Sequence, residues 1–193
     1  MQETLVIDDL IPEPDQHSIH NIIMSQAEWK FLPDVSGVDG HTWPSHGFVH
    51  ILKDPRDGYQ SNMFTKQDVC GMILKEIGKY VDFEDVYYAR SFLQLPLPEQ
   101  YRKEHNGIHV DLPKEIKHVA CVYYVNTSDG DTVIYDQTIN DVPGGSQGIH
   151  LTEHKRVNPK RGRLVIFDGS RYHCSSQPTV NYRCIINFDL RIK

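Results

Sequence analysis

Tyr182-Arg183-Cys184-Ile185-Ile186-Asn187-Phe188-Asp189-Leu190 alternates along its whole length. In an extended chain successive side chains point to opposite faces. Arg183, Ile185, Asn187 and Asp189 therefore share one face, and Cys184, Ile186, Phe188 and Leu190 share the other. If Arg183 is buried in this strand it needs a partner, because an unpaired buried charge is very costly. Two kinds fit: a protein carboxylate, Asp189 or another, or the carboxylate of a ligand, which the planar guanidinium fork suits.

The same period of two runs backwards through the chain. Tyr87 to Leu95, Ile108 to Asp111, Val119 to Asn126, Thr132 to Tyr135, Arg163 to Phe167 and Tyr172 to Ser175 all read as strands. Turn signals separate them, such as Ser128-Asp129-Gly130, Pro143-Gly144-Gly145 and Asp168-Gly169-Ser170. Before Val81 the pattern differs. Leu5-Val6-Ile7 reads as a short strand, and Phe48 to Leu52 as another within loops. Pro14-Asp15 opens a helical pattern with Ile19, Ile22 and Ile23 on one face. Thr65 and Asp68 fit a capping box, followed by Val69, Cys70, Ile73, Leu74, Ile77 and Val81 at helical spacing. Helices followed by many short strands predict a mostly β fold with flanking helices, best matched by a double-sheet jelly roll.

Composition bounds the rest. A chain of 193 residues, 39% hydrophobic, fits one domain with a core that needs no disulfide staples. Cys70, Cys121, Cys174 and Cys184 show no C-x-x-C spacing and read as reduced, partly buried thiols of a cytoplasmic protein. No apolar run is long enough to span a membrane, and the first residues lack the pattern of a signal peptide. A net charge of −6 argues against a broad nucleic-acid footprint. The oligomeric state is not legible.

His109-Val110-Asp111 lies on a predicted strand, so His109 and Asp111 point the same way and can share a metal without backbone distortion. Taken alone, the pair reads more simply as a strand-edge histidine beside an exposed acid. His173 is the best third ligand, 173 − 111 = 62 residues on, after the apolar run Leu164-Val165-Ile166-Phe167. Two histidines and a carboxylate on one side of a metal leave positions open for co-substrate and dioxygen, which suits non-haem Fe(II). His46 and His50, and His150 and His154, are also spaced by four, but breakers and strand signals around them make surface or loop residues the expectation.

The ordered set His109-x-Asp111, Gly162-Arg163-Leu164-Val165-Ile166-Phe167-Asp168, His173 and then Arg183 resembles the 2-oxoglutarate/Fe(II) oxygenase superfamily, in its prolyl-4-hydroxylase-like branch. Cys121-Val122-Tyr123-Tyr124-Val125-Asn126, Asn158-Pro159-Lys160-Arg161-Gly162 and Ile7-Asp8-Asp9-Leu10-Ile11-Pro12 extend the likeness over nearly the whole chain. The resemblance implies a double-stranded β-helix, a cupin-like jelly-roll barrel. It implies one dioxygenase domain over residues 1–193, with N-terminal helices within 1–85 packing on a β-barrel core over 86–193. By the same likeness His109, Asp111 and His173 hold Fe(II), and Arg183 binds the distal carboxylate of 2-oxoglutarate. Tyr124 hydrogen-bonds that carboxylate, where strand parity alone does not choose between Tyr123 and Tyr124. Gln94 is a further co-substrate contact.

The expected reaction couples dioxygen and oxidative decarboxylation of 2-oxoglutarate, to succinate and carbon dioxide, with hydroxylation of a substrate. Ascorbate is a candidate reductant. An amino acid, a peptide, a nucleobase or another small metabolite all remain open as substrate. Asp129-Gly130-Asp131-Thr132 departs from the family's usual turn, the late tryptophan is absent near Phe188, and Leu95-Pro96-Leu97-Pro98-Glu99 inserts a proline-rich loop. These departures put a prolyl substrate in doubt. Val35–Trp43, Pro96–Gly107 and Asp136–Gly148 are candidate mouth loops, with Pro143 to Gly148 as a candidate lid. Two competing readings are a non-catalytic jelly-roll module binding a metal or small acid, and a zinc hydrolase on the same ligands. Arg183, and the lack of an obvious general base, count against the hydrolase.

Overall fold

The computed structural model describes residues 3–35, 46–64, 68–98, 100, 105–142 and 149–193. In chain order the elements are β1 (Leu5–Ile7), α1 (Glu13–Gln26), β2 (Lys30–Leu32), β3 (Gly47–Asp54), β4 (Tyr59–Gln60), α2 (Val69–Ile77) and β5 (Asp85–Gln94). They are followed by β6 (His118–Tyr124), β7 (Thr132–Thr138), β8 (Glu153–Val157), β9 (Leu164–Asp168), β10 (Arg171–Ser175) and β11 (Arg183–Arg191).

The strands form two antiparallel sheets. The larger runs β1-β9-β6-β11-β5-β3-β2, with β4 paired to β3; the smaller runs β10-β7-β8. This is the mostly β, jelly-roll architecture that the alternating segments predict. β11 lies at the centre of the large sheet, and its two faces do different work. Cys184, Ile186, Phe188 and Leu190 join Ile19 and Ile23 of α1 and Val69, Cys70, Ile73 and Ile77 of α2 in one core layer. Ile185 faces the other way. It packs with Ala120, Val122, Tyr124, Val165 and Phe167 of the large sheet and Ile134 and Val157 of the small one. Helices therefore cover one side of the large sheet, and the other side turns toward the small sheet. A third cluster, Val133, Tyr135, Tyr172, Cys174 and Leu151, covers the far face of the small sheet.

The first 85 residues contribute strands as well as helices: β1 pairs with β9, and β3 pairs with β5. β2 and β4 escape a sequence reading because three and two residues are too short to display a period. Ile108 to Asp111, expected as a strand, is reduced to a single bridge between His109 and His173. Asp68 is itself the cap of α2, its carboxylate accepting from Cys70 N at 3.1 Å and Gly71 N at 3.4 Å. The expected partner Thr65 lies outside the described residues. The helix stops at Ile77, and Val81 joins the same core from the segment beyond it. Of the three candidate mouth loops, residues 36–43, 99, 101–104 and 143–148 lie outside the described residues, and 136–138 belong to β7.

One histidine expectation is corrected. His50 is not a surface or loop residue but a buried member of β3, where its Nδ1 accepts from Glu28 N at 3.2 Å. Pro44 and Gly47 exclude a helix here, but they do not exclude a strand, and Gly47 itself opens β3.

Candidate metal centre

His109 and His173 are brought together by backbone pairing. His109 N donates to His173 O at 3.0 Å, and His173 N donates to His109 O at 2.9 Å. β10 is itself anchored on β7, with His173 opposite Ile134. The two imidazoles lie 4.7 Å apart between centroids, and Phe167 meets His173 edge-on at 5.0 Å. Asp111 completes the group: its Oδ2 is 3.2 Å from His173 Nε2, and its Oδ1 is 3.7 Å from His109 Nε2. Among the described residues this is the one cluster of His, Cys, Asp or Glu whose donor atoms come within metal-sharing distance, all within 4.8 Å of one another.

Each ring is oriented from its other nitrogen. His109 Nδ1 lies 2.9 Å from Gly107 O, and His173 Nδ1 lies 3.1 Å from Arg171 O. A carbonyl only accepts, so Nδ1 carries a proton in both rings, and both Nε2 atoms are turned toward Asp111. This is the ring orientation that metal-ligating histidines adopt. Burial, helped by the neighbouring His173, depresses His109 to a pKa of about 4, which keeps the ring neutral at neutral pH. Burial pushes the Asp111 carboxyl up, but Arg90 and His173 overcome that and hold it well below the usual carboxylate range. Two imidazole nitrogens and one ionised carboxylate, all lining a cavity, form a donor set that fits Fe(II).

Arg183 opens β11 and is 4% exposed. Its Nε donates to Gly130 O at 2.8 Å, its Nη1 to Gln94 Oε1 at 3.0 Å and its Nη2 to Thr132 Oγ1 at 2.9 Å. All three acceptors are neutral. No carboxylate lies within ion-pair distance of it among the described residues, and burial lowers its pKa. Asp189, the candidate partner on the same strand face, sits instead 4.0 Å from Arg90. Gly130 is required by the close approach. A Cβ there would stand 3.0 Å from Arg183 Cδ and 3.1 Å from Ser176 O. Tyr124 faces the inner side, and its hydroxyl donates to Thr132 Oγ1 at 2.7 Å, so it reaches Arg183 through that shared oxygen. Tyr123 faces the helical layer. Gln94 Nε2 donates onward to Ser175 Oγ at 3.3 Å.

A single cavity of about 620 Å³ connects these groups. One face of β5 runs along it. Gln94 stands at the Arg183 end, Phe92 and Arg90 pass the metal ligands, and Tyr88 reaches Arg56. Val49, Ile51 and Leu32 of β3 and β2 supply an apolar wall.

Residues 98–190, which include the triad and Arg183, match the family model of the 2OG-Fe(II) oxygenase superfamily. Over that span the chain is similar to the 2OG-Fe(II) oxygenase superfamily. No curated protein matches the sequence. Solved structures share the fold at low identity. A 2OG-Fe(II) oxygenase family oxidoreductase from Burkholderia pseudomallei has a TM-score of 0.65 at 10% identity, with 97% of this chain and 85% of that one covered. A prolyl-4-hydroxylase from Pseudomonas putida has a TM-score of 0.60 at 15% identity, covering 100% and 94%. HygX from Streptomyces hygroscopicus, solved with nickel, 2-oxoglutarate and hygromycin B, has a TM-score of 0.57 at 11% identity, covering 97% and 82%. Fe(II) and 2-oxoglutarate are the metal and co-substrate that this family match implies, and the His109, Asp111 and His173 group fits the metal. No helix of the described residues is long and apolar enough to cross a membrane.

Sequence reasoning missed Arg90, Asn187 and Thr132. Asn187 was legible as a polar residue on the Arg183 face. Arg90 carried a comparable signal, a lone charge between Tyr88 and Phe92 on an alternating strand.

Proposed function

We propose that His109, Asp111 and His173 hold Fe(II), and that Arg183 takes the distal carboxylate of 2-oxoglutarate. The enzyme then hydroxylates a small molecule or peptide bound in the outer part of the cavity. The observation that carries this reading is the buried Arg183, which has only neutral partners and opens on the cavity that also contains the triad. A guanidinium so placed gains most from a bidentate carboxylate. Bound iron supplies the activation of dioxygen, coupled to decarboxylation of 2-oxoglutarate to succinate and carbon dioxide.

The chain's own residues bind, orient and shield. Gln94, Thr132 and Gly130 hold the guanidinium in one plane, and Tyr124 fixes the Thr132 hydroxyl from behind. Val122, Phe92 and Ile185 line the cavity and limit water beside the metal ligands. Asp111 keeps a carboxylate where a halogenase needs room for halide, which favours hydroxylation. Residues 1–193 act as one domain, because strands from both halves share the large sheet. Four free, buried thiols agree with a cytoplasmic setting.

Anaerobic titration with Fe(II) and 2-oxoglutarate tests the reading. A weak visible charge-transfer band is expected only when both are present. Its absence from fully loaded protein would overturn the proposal in favour of a non-catalytic binding module.

A further inference from the structure

Asp111 lies outside the sheets: of the His109–Asp111 segment, only His109 makes a bridge. No strand ladder fixes its carboxylate, so its orientation must come from side-chain partners. Beyond the histidines, two side chains donate to it among the described residues. Asn187 Nδ2 donates to Oδ2 at 3.2 Å, and Arg90 Nη2 donates to Oδ1. Arg90 stands on β5, in the interior of the large sheet between β11 and β3. Its guanidinium carbon lies 4.6 Å from the centroid of the Tyr88 ring and 5.3 Å from that of Phe92. A planar cation between two aromatic rings is held in place by stacking as well as by charge.

We propose that Arg90 is a positioning residue for the metal carboxylate, setting the plane of Asp111 against the Nε2 atoms of His109 and His173. This rests on the reading of the triad as the iron site. The Tyr88 and Phe92 rings keep the guanidinium from following solvent, and the buried Asp189 side chain lies behind it, 4.0 Å from Nη2. Arg90 also lines the cavity between the triad and the apolar wall, so it ties metal geometry to the wall where substrate would lie.

The sign of its effect separates positioning from simple electrostatics. A cation beside a divalent metal opposes binding by charge alone, so a purely electrostatic role predicts tighter metal binding once it is removed. A positioning role predicts weaker binding, by roughly 10- to 100-fold, the usual effect of losing a group that orients a ligand.

The test is anaerobic titration of the full chain with Co(II) and Fe(II), comparing wild type, Arg90→Met, Arg90→Lys and Asp111→Ala. Arg90→Met keeps an unbranched apolar stem between the rings and is expected to lose about 10- to 100-fold in metal affinity. Its Co(II) absorption spectrum should shift, a readout that a general packing role would not move. Arg90→Lys should recover part of the affinity but not the wild-type spectrum, because an ammonium lacks the stacked plane. In metal-loaded protein the 2-oxoglutarate affinity should stay within about threefold of wild type, since Arg90 is not among the partners of Arg183. Wild-type or tighter metal binding in Arg90→Met overturns the proposal. If Arg90→Met does not fold, wild-type affinity together with a wild-type spectrum in Arg90→Lys overturns it. Should wild type bind no metal, or Asp111→Ala bind as wild type, the triad reading itself fails and this inference falls with it.

Discussion

His109 and His173, far apart in sequence, exchange two backbone hydrogen bonds, at 3.0 and 2.9 Å. The main chain therefore sets the spacing of the two imidazoles, and each Nδ1 bond to a carbonyl two residues earlier sets its rotation. Asp111 has no such backbone support and depends on side chains. The histidines form the rigid part of this centre, and the carboxylate the adjustable part.

Replacing His109, Asp111 or His173 with Ala should lower Fe(II) affinity by about 100-fold or more, exceeding the loss typical of a group that only orients a ligand. Equilibrium titration under anaerobic conditions measures this. His154→Ala, at an exposed position, should bind iron normally. His50→Ala should also bind iron but lower the thermal midpoint, because it removes a buried ring and the acceptor for Glu28 N. Wild-type iron affinity in all three ligand variants would move the site elsewhere.

Arg183→Ala should weaken 2-oxoglutarate binding by about 2–5 kcal/mol, or roughly 30- to several-thousand-fold, while iron still binds. Arg183→Lys should lose less, since charge survives and the fork does not. The measurement is a co-substrate titration of iron-loaded protein, with folding checked by circular dichroism. A normally folded Arg183→Ala that binds 2-oxoglutarate as tightly as wild type would contradict the assignment.

Aerobic incubation with Fe(II) and 2-oxoglutarate, without substrate, should oxidise Cys174 before Cys70. Burial pushes the Cys174 thiol up to about 11, and that of Cys70 further still. Cys174 also follows His173 directly and lies 3.6 Å from the Tyr135 hydroxyl, whereas Cys70 is in the helical layer. Thiol oxidation follows access and thiolate character. Mass spectrometry of the four cysteines decides; equal modification of all of them would speak against the expectation.

Asp8 should make the fold weakly pH-dependent. The hydrogen bond from Arg163, at 2.6 Å, lowers its carboxyl from an ordinary 3.8 to about 2. A depressed folded-state value means stabilisation that is complete above pH 3.8 and lost as pH falls through about 2. The pair is partly solvent-exposed, so its worth is screened to under about 1 kcal/mol. Asp8→Asn should therefore be slightly less stable than wild type at pH 7, with the gap closing between pH 4 and 2 in denaturant titrations. A gap that persists unchanged at pH 2 would mean that Asp8 acts by packing rather than by charge.

The strands β5, β6 and β11, the pair His109 and Asp111, and Arg183 on one face of its strand were all legible in the chain itself. The reason is local. Backbone geometry fixes a side-chain period of two, so face membership is written into the order of residues. Partners are not local. That β11 lies between β5 and β6, that His173 faces His109, and that Asp189 stands beside Arg90 rather than Arg183 depend on strand order and register. Tyr123 and Tyr124 show the limit most directly. Sequence parity makes them opposite, but only the packing of helices against one side of the sheet decides that Tyr124 is the one turned toward Arg183.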